Sequence, residues 1–325
     1  MKITQKSINP FPYSDDNKRY HTMDYAMRRA FGRKACKVPI DGGFTCPNRD
    51  GSKGHGGCTF CSGKGSGEFT AGREYSITEQ IDKGARMMRN KWRDAALLPY
   101  FQSFTGTYAP LETLKRLYSE ALSHPESEGI CISTRPDCIN EEIAGYLKEL
   151  AREHKVFVEL GLQTVHDETA KAINRCCTYA DFLKAYELLD GLCVCVHLIN
   201  GLPGETKEMM LDTVKEMARL RPFAVKLHLL HVLADTEMAK QYARGELQTM
   251  ERDEYVSLLC DELELLPPET VIERVSGDGA EDTLIAPLWS RKKLVLQNEI
   301  DKELFRRNSM QGAKYVTERL AQIAP

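Results

Sequence analysis

The chain has 325 residues, 42% of them apolar and 28% charged, with a formal net charge of −3. That length suits one large folded domain with extensions, and the composition is that of an ordinary soluble globular protein with no global electrostatic signal. The charge is nonetheless uneven. Residues 1–100 carry 18 Lys and Arg against 10 Asp and Glu, whereas residues 101–325 carry 26 against 37. A basic first third suits a polyanion such as RNA, and it equally suits lysines and arginines that solvate surface helices.

Residues 1–12 are polar and proline-punctuated, unlike a signal peptide. The longest apolar runs, such as 192–199, have strand length and are too short to cross a bilayer. A cytoplasmic protein is therefore expected. Cytoplasmic thiols stay reduced, so the 11 cysteines sort into ligands and small buried hydrophobes rather than disulfides.

In chain order, residues 1–35 read as an irregular arm ending in a short basic helix near 22–31. A strand at 36–40 follows. Residues 41–72 are glycine-rich with little apolar periodicity and form one long loop; a stretch of this length inside a domain signals function. Ser76-Ile-Thr-Glu79 is a capping box that opens a helix to about residue 93. Strands are expected at 100–104, 129–133, 156–160, 192–199 and 224–230. Helices are expected between them at 111–123, 140–153, 166–174, 179–189 (with Thr178 as cap) and 207–220. Beyond these come helices at 237–244 and 252–266, a last strand candidate at 271–275 and a charged helix at 291–307. Short apolar strands alternating with longer helices make β/α units and a parallel sheet. The fold class is α/β, an open or partial barrel.

The chemistry concentrates in Cys46-Pro-Asn-Arg-Asp-Gly-Ser-Lys-Gly-His-Gly-Gly-Cys58-Thr-Phe-Cys61. In parallel β/α proteins the loops that follow strands build the active face. Thiolates select zinc or iron–sulfur. A closed cluster or a structural zinc site wants four protein ligands, so three cysteines leave one iron open, while His55 could complete a zinc site. A redox pair from Cys58 and Cys61 alone fits less well, because the motif does not open a helix.

The C-x11-C-x2-C spacing, with Phe60 before the last cysteine, resembles the cluster loop of radical S-adenosylmethionine (SAM) enzymes. The long first gap resembles their Elp3-like branch. The stretch from Pro39 through Cys46 to Gly51 is similar to the bacterial YhcC/YtqA family, and the resemblance runs over nearly the whole chain. It implies a partial (β/α)6 TIM-like barrel with N- and C-terminal extensions. The divisions are a basic extension at 1–35, a core at 36–245 with its cluster loop at 41–72, and a helical extension at 246–325 that closes the barrel. It also implies a [4Fe–4S] cluster on Cys46, Cys58 and Cys61, with SAM on the open iron.

Further stretches extend the resemblance. Ser133-Thr-Arg-Pro-Asp137 is similar to a stretch of Elp3-like proteins. Gln163 and Arg175 match residues that touch SAM in related coproporphyrinogen dehydrogenases. His197 stands where those relatives carry Asp; it is either an adenosine contact or a packed barrel histidine. Gln102-Ser-Phe-Thr-Gly-Thr107 replaces the Gly-Gly-Glu that binds the SAM amino group, with Thr105 and backbone carbonyls as acceptors. The expected cofactor contacts are thus Phe60, Thr105, Ser133, Gln163, Arg175 and His197. No catalytic side chain is assigned. Cys131, Cys193 and Cys195 read as packing residues, Cys176 and Cys177 sit where a site role is open, and Cys36, Cys138 and Cys260 give no signal.

The resemblance implies a 5′-deoxyadenosyl radical, an electron donor such as flavodoxin or ferredoxin, and tRNA wobble uridine as substrate, its carboxymethylaminomethyl group becoming aminomethyl. A small metabolite or a protein is the alternative substrate, and a non-catalytic zinc protein the alternative function. Candidate phosphate contacts are His21, Arg28, Arg29, Arg33, Lys34, Arg86, Arg89, Lys91 and Arg93, with Arg291, Lys292 and Lys293 beside a stacking Trp289.

Overall fold

The computed structural model describes residues 9–65, 67–277 and 282–316. The strands are β1 (Ala35–Ile40), β2 (Ala96–Phe101), β3 (Ile130–Thr134), β4 (Val156–Gln163), β5 (Cys193–Asn200), β6 (Ala224–Leu229), β7 (Val232–Leu233), β8 (Val271–Arg274) and β9 (Leu284–Ala286). The helices are α1 (Met23–Phe31), α2 (Ile77–Lys91), α3 (Leu111–Ser123), α4 (Glu141–Leu150), α5 (Asp167–Ala172), α6 (Tyr179–Leu188), α7 (Lys207–Leu220), α8 (Glu237–Ala243), α9 (Arg252–Leu265) and α10 (Lys293–Arg306).

Seven strands form one parallel sheet in the order β1-β2-β3-β4-β5-β6-β8, and β7 pairs with β9 apart from it. Parallel neighbours need a crossover between them, and α2 through α7 supply the crossovers between β1 and β6. The sheet curls into a half-barrel, which is the α/β architecture expected from the alternation of elements. The seventh strand, β8, falls within the stretch read as a last strand candidate.

Alternation along the strands sorts the side chains. On β4, Val158 and Leu160 face the helices and join the main core with Ile132, Val196, Leu227, Leu114, Phe182 and Leu259. The opposite face lines the concave side of the curl, in three tiers. At the N-terminal ends of the strands, Leu98, Cys131, Phe157, Cys195, Ala224 and Val271 form an apolar tier. Met23, Ala26 and Met27 of α1 pack into it, so the N-terminal helix plugs this end. The middle tier is ionic, with Lys37, Tyr100, Glu159, His197, Lys226 and Glu273. The upper tier, at the C-terminal ends, holds Ser133, Gly161, Gln163 and His228.

The start of the chain is tied to its far end. Thr22 bridges Ile272 of β8, and the backbone N–H of His21 donates to the Gln311 side chain at 2.8 Å. The His21 ring stacks on Tyr13 at 4.7 Å, which removes it from the expected phosphate contacts. Trp289 is likewise committed, donating from Nε1 to the Met250 carbonyl at 3.1 Å and packing against Tyr255. The capping boxes at Ser76 and Thr178 both form. Strand β2 starts at Ala96, earlier than the expected 100, because Ala95-Ala96-Leu97-Leu98 continues the helical composition before it and Pro99 interrupts the strand pattern. No helix among the described residues is long and apolar enough to cross a membrane.

Candidate active site

The loop after β1 wraps over the C-terminal mouth of the half-barrel and is strapped there by its own side chains. Asn48 donates from Nδ2 to the Asn174 carbonyl at 2.5 Å, and Asn174 returns two bonds, to the carbonyls of Gly57 at 2.8 Å and His55 at 3.0 Å. The Thr59 N–H donates to the Ile173 carbonyl and the Thr59 carbonyl accepts from Met238, each at 3.0 Å. Arg49 donates to the carbonyls of Ser62 at 2.5 Å and Cys61 at 3.1 Å, with its guanidinium over the Phe104 ring. Gly57 has φ +81, and a Cβ there would meet Arg49 Nε at 2.8 Å, so only glycine lets the loop close on this arginine.

One cavity under this loop is lined by Cys46, Cys58 and Cys61 together with Phe60, Thr105, Ser133, Gln163, Arg175 and His197. All nine residues singled out from the sequence therefore share one space. Asn48 Nδ2 also lies 3.7 Å from the Cys58 sulfur. Burial pushes the Cys61 thiol up to about 11, and the neighbouring Cys58 and Cys46 add to the rise. The Cys61 thiol resists ionisation unless a cationic centre sits beside it. Among the described residues, no three His, Cys, Asp or Glu side chains could grip a single metal ion. His55 is exposed and is not among the residues that line the cavity.

The walls carry groups that sequence reasoning missed. Arg135, 5% exposed, makes a two-pronged bond to Asp137 and donates to the Arg175 carbonyl at 2.9 Å. Its Nη1 is buried without a partner, as is Nε of Arg175, whose Nη2 donates to the Gly161 carbonyl at 2.5 Å. Arg135 and Arg175 both line the cavity. Gln163 adopts φ 78 where the β4–β5 register slips, a backbone state that side chains other than glycine rarely take outside functional sites. A Cβ at Gly161 would meet Gln163 Nε2 at 2.9 Å and Arg175 Nη2 at 3.1 Å, so the wall depends on a bare backbone there. Arg135 lay inside a motif already quoted from the sequence; the only signal for it was that motif.

The ionic tier makes the floor. Glu159, fully buried, binds Lys37, Lys226, Tyr100 and His197, the last at 2.9 Å. Glu273 binds Lys37, and Lys226 at 3.1 Å. Burial alone pushes the Glu159 carboxyl up, but Lys226, Lys37 and His197 outweigh it and hold it well below the usual carboxylate range. Burial, then Lys226, lower His197, which stays neutral with its Nε2 on Glu159. Burial also lowers His228, with His197, Arg274 and Lys226 adding to the effect. His228, Lys226 and Arg274 line the same cavity as the cysteines.

Other candidates lie elsewhere. Cys131, Cys193 and Cys195 pack in the apolar tier. Cys176, at φ 50, is exposed, and burial raises Cys177 to about 11; neither is among the residues that line the cavity. Arg28 and Lys34 pair with Asp24, Arg33 with Glu128 and Arg89 with Glu126. Helix α1 sits at the N-terminal ends of the strands, across the half-barrel from the cavity mouth.

Comparison with known proteins bears on this geometry. The sequence profile of the radical SAM superfamily matches residues 48–217, and that of the radical SAM C-terminal domain matches residues 222–306. The uncharacterized protein YtqA of Bacillus subtilis is 46% identical over 306 residues, 94% of this chain and 95% of its own length. The tRNA uridine(34) acetyltransferase of Methanocaldococcus jannaschii is 33% identical over 155 residues, 46% of this chain and 28% of its own. The solved structure of Methanocaldococcus infernus Elp3 lacking its N-terminus superposes with a TM-score of 0.63 at 18% identity, covering 85% of this chain and 64% of that one. That last likeness is one of fold.

Proposed function

The chain belongs to the radical SAM superfamily, within the group of YhcC and YtqA, and on that premise we propose that it modifies tRNA at the side chain on carbon 5 of the wobble uridine. Enzymes of this superfamily use a [4Fe–4S] cluster and SAM. When bound, these supply a 5′-deoxyadenosyl radical that takes a hydrogen atom from the substrate.

The residues present fit both groups. Cys46, Cys58 and Cys61 would hold the cluster and leave one iron to SAM. The unpartnered guanidinium nitrogens of Arg135 and Arg175 offer a cationic fork to the SAM carboxylate. Thr105 and nearby carbonyls would take its amino group, Gln163 and Ser133 the ribose hydroxyls, and Phe60 and His197 the remaining contacts. The strapped loop excludes water from the space where the radical forms. One-electron reduction would come from a flavodoxin- or ferredoxin-type donor in the cytoplasm.

The single observation that carries the radical reading is that three thiols and two arginines, each with one buried unpartnered guanidinium nitrogen, line one cavity at the mouth of a parallel half-barrel. The tRNA reading is supported by the partial likeness to the tRNA uridine(34) acetyltransferase. The reaction proposed is conversion of carboxymethylaminomethyl to aminomethyl, begun by hydrogen abstraction at the methylene between nitrogen and carboxylate. That carbon radical would give one electron to a one-electron acceptor and the N–H proton to solvent, and water would cleave the resulting imine to the amine and glyoxylate. Anaerobic reconstitution should give about four irons per chain and reductant-dependent 5′-deoxyadenosine. Holoenzyme with tRNA from a deletion strain should then change nucleoside composition by mass spectrometry. A lone zinc ion would overturn the radical reading, and unchanged nucleosides would turn the search to a small-molecule or protein substrate.

A further inference from the structure

We propose that the floor of this cavity is a substrate subsite for a carboxylate, contacted by His228 and Lys226. This rests on the reading of the cavity as the space where the radical meets its substrate.

Three observations converge on the floor. The first is position. Lys226 pairs in register with His197 and His228 with Ile199, so His228 stands one tier above the ionic layer and faces the mouth where the cysteines lie. Below the ionic layer, the apolar tier is plugged by α1. A group that enters past the cofactor site ends at His228 and Lys226.

The second is charge. Among the described residues that line the cavity, Arg49, Arg135, Arg175, Lys226 and Arg274 are cationic and none is a carboxylate. Glu159 and Glu273 lie behind Lys226, their side chains 0% and 7% exposed. The two lysines of the tier, Lys37 and Lys226, pair with those two carboxylates from below. The upper arginines Arg135 and Arg175 are assigned above to the SAM carboxylate and Arg49 is held by the carbonyls of Cys61 and Ser62, which leaves the floor as the place for a substrate's anion.

The third is an orphaned atom. His228 Nε2 is buried with no hydrogen-bond partner although its residue lines the cavity. The nearby His197, whose ring centre is 5.6 Å away, has its own Nε2 committed to Glu159. A buried ring nitrogen left unmet is costly, so the arrangement favours a ligand that bonds it, and in the Nε2–H tautomer it donates to an anion. Lys226 adds a cation whose three N–H groups are met only in part by Glu159 and Glu273. A neutral N–H beside an ammonium is a carboxylate-binding pair. Seated there, a carboxymethylamino arm would hold its carboxylate deep and raise the methylene beside nitrogen toward the mouth. Departure of the two carboxymethyl carbons as glyoxylate, after hydrolysis of the imine, would remove the anchor and release the aminomethyl product.

The test uses the cluster- and SAM-loaded protein and three synthetic anticodon stem-loops, carrying carboxymethylaminomethyluridine, its carboxamide and aminomethyluridine. Binding by fluorescence anisotropy should favour the carboxylate over the carboxamide by about tenfold. His228→Ala should bring that ratio close to one while leaving the affinity for the aminomethyl form within about twofold, and His228→Gln, which keeps an N–H donor, should restore part of it. Equal binding of carboxylate and carboxamide by the parent overturns the subsite, as does an equal loss for all three probes in both variants. Failure of every stem-loop to bind sinks the tRNA reading alone. The subsite is then decided by crystals of the loaded protein soaked in N-methylglycine. A carboxylate within hydrogen-bonding distance of His228 Nε2 supports it, and an empty floor overturns it.

Discussion

Glu159 shows how much one side chain can carry. It binds Lys37, Lys226, Tyr100 and His197 in a tier closed below by apolar packing. Glu159→Gln keeps the shape and removes a charge, leaving two buried lysines to share Glu273. A loss of about 3–5 kcal/mol is expected, read from urea denaturation. Glu262 behaves in the opposite sense. It is fully buried, one carboxyl oxygen accepts from Asn200 at 3.0 Å and the other has no partner. Burial raises it to about 8, Asn200 opposing only in part. A carboxyl with a raised folded value stabilises fully below its ordinary value near 4.5, and that stability is lost as pH climbs through about 8. Glu262→Gln should therefore gain on the order of 2–4 kcal/mol relative to the parent at pH 8 and little near pH 4.5, checked by thermal melts at both. At this scale the sequence disclosed the cysteines, Gln163 and Arg175, because each stands in a motif of fixed spacing. Glu159, Lys226 and His228 were silent. Their meaning comes from contacts across strands, such as Lys226 with Glu159, 67 residues apart.

Among the elements, the cysteine loop is the least regular and the most tightly tied. Its anchor is Asn174, at φ 52, whose carbonyl accepts from Asn48 and whose side chain donates to the carbonyls of Gly57 and His55. Asn174→Ala removes both side-chain donors and places a residue that tolerates this backbone state less well. The expected result is a lower iron content after reconstitution, by several-fold, with an unchanged far-UV spectrum. Retention of full iron would show that the straps do not hold the loop. Helix α1 makes a different case. Its presence near 22–31 was legible as a short basic helix, but its role as a plug was not, since Met27 meets Leu98 and Phe157 only once the sheet has curled. Met27→Ala should cost about 2–4 kcal/mol by the same denaturation measurement. The antiparallel pair β7–β9 escaped notice because two- and three-residue strands carry no periodicity.

For the whole molecule, alternation of short apolar and longer amphipathic segments announced a parallel sheet, because buried strands and their crossovers have distinct lengths. The partial barrel was expected as well, but its tiering was hidden, being set by which residues meet on the concave side. The uneven charge has a positional outcome too. The arginines of α1 and Arg33 lie at the plugged end, some already paired with Asp24 or Glu128, while the chemistry sits at the other. Arg28→Glu with Arg29→Glu should therefore change tRNA affinity by less than about twofold, measured at fixed salt because phosphate contacts are salt-dependent. A tenfold loss would place the nucleic acid along the side of the barrel and not across its mouth.

The plug of Met23, Ala26 and Met27 turns the half-barrel into a blind well. With the lower end shut among the described residues, traffic through the mouth is single-file. Whatever seats at the bottom is shut in by what occupies the rim, and departures run in reverse of arrivals. Product-inhibition patterns should record that queue, with the spent nucleoside trapping a bottom-seated ligand rather than competing with it.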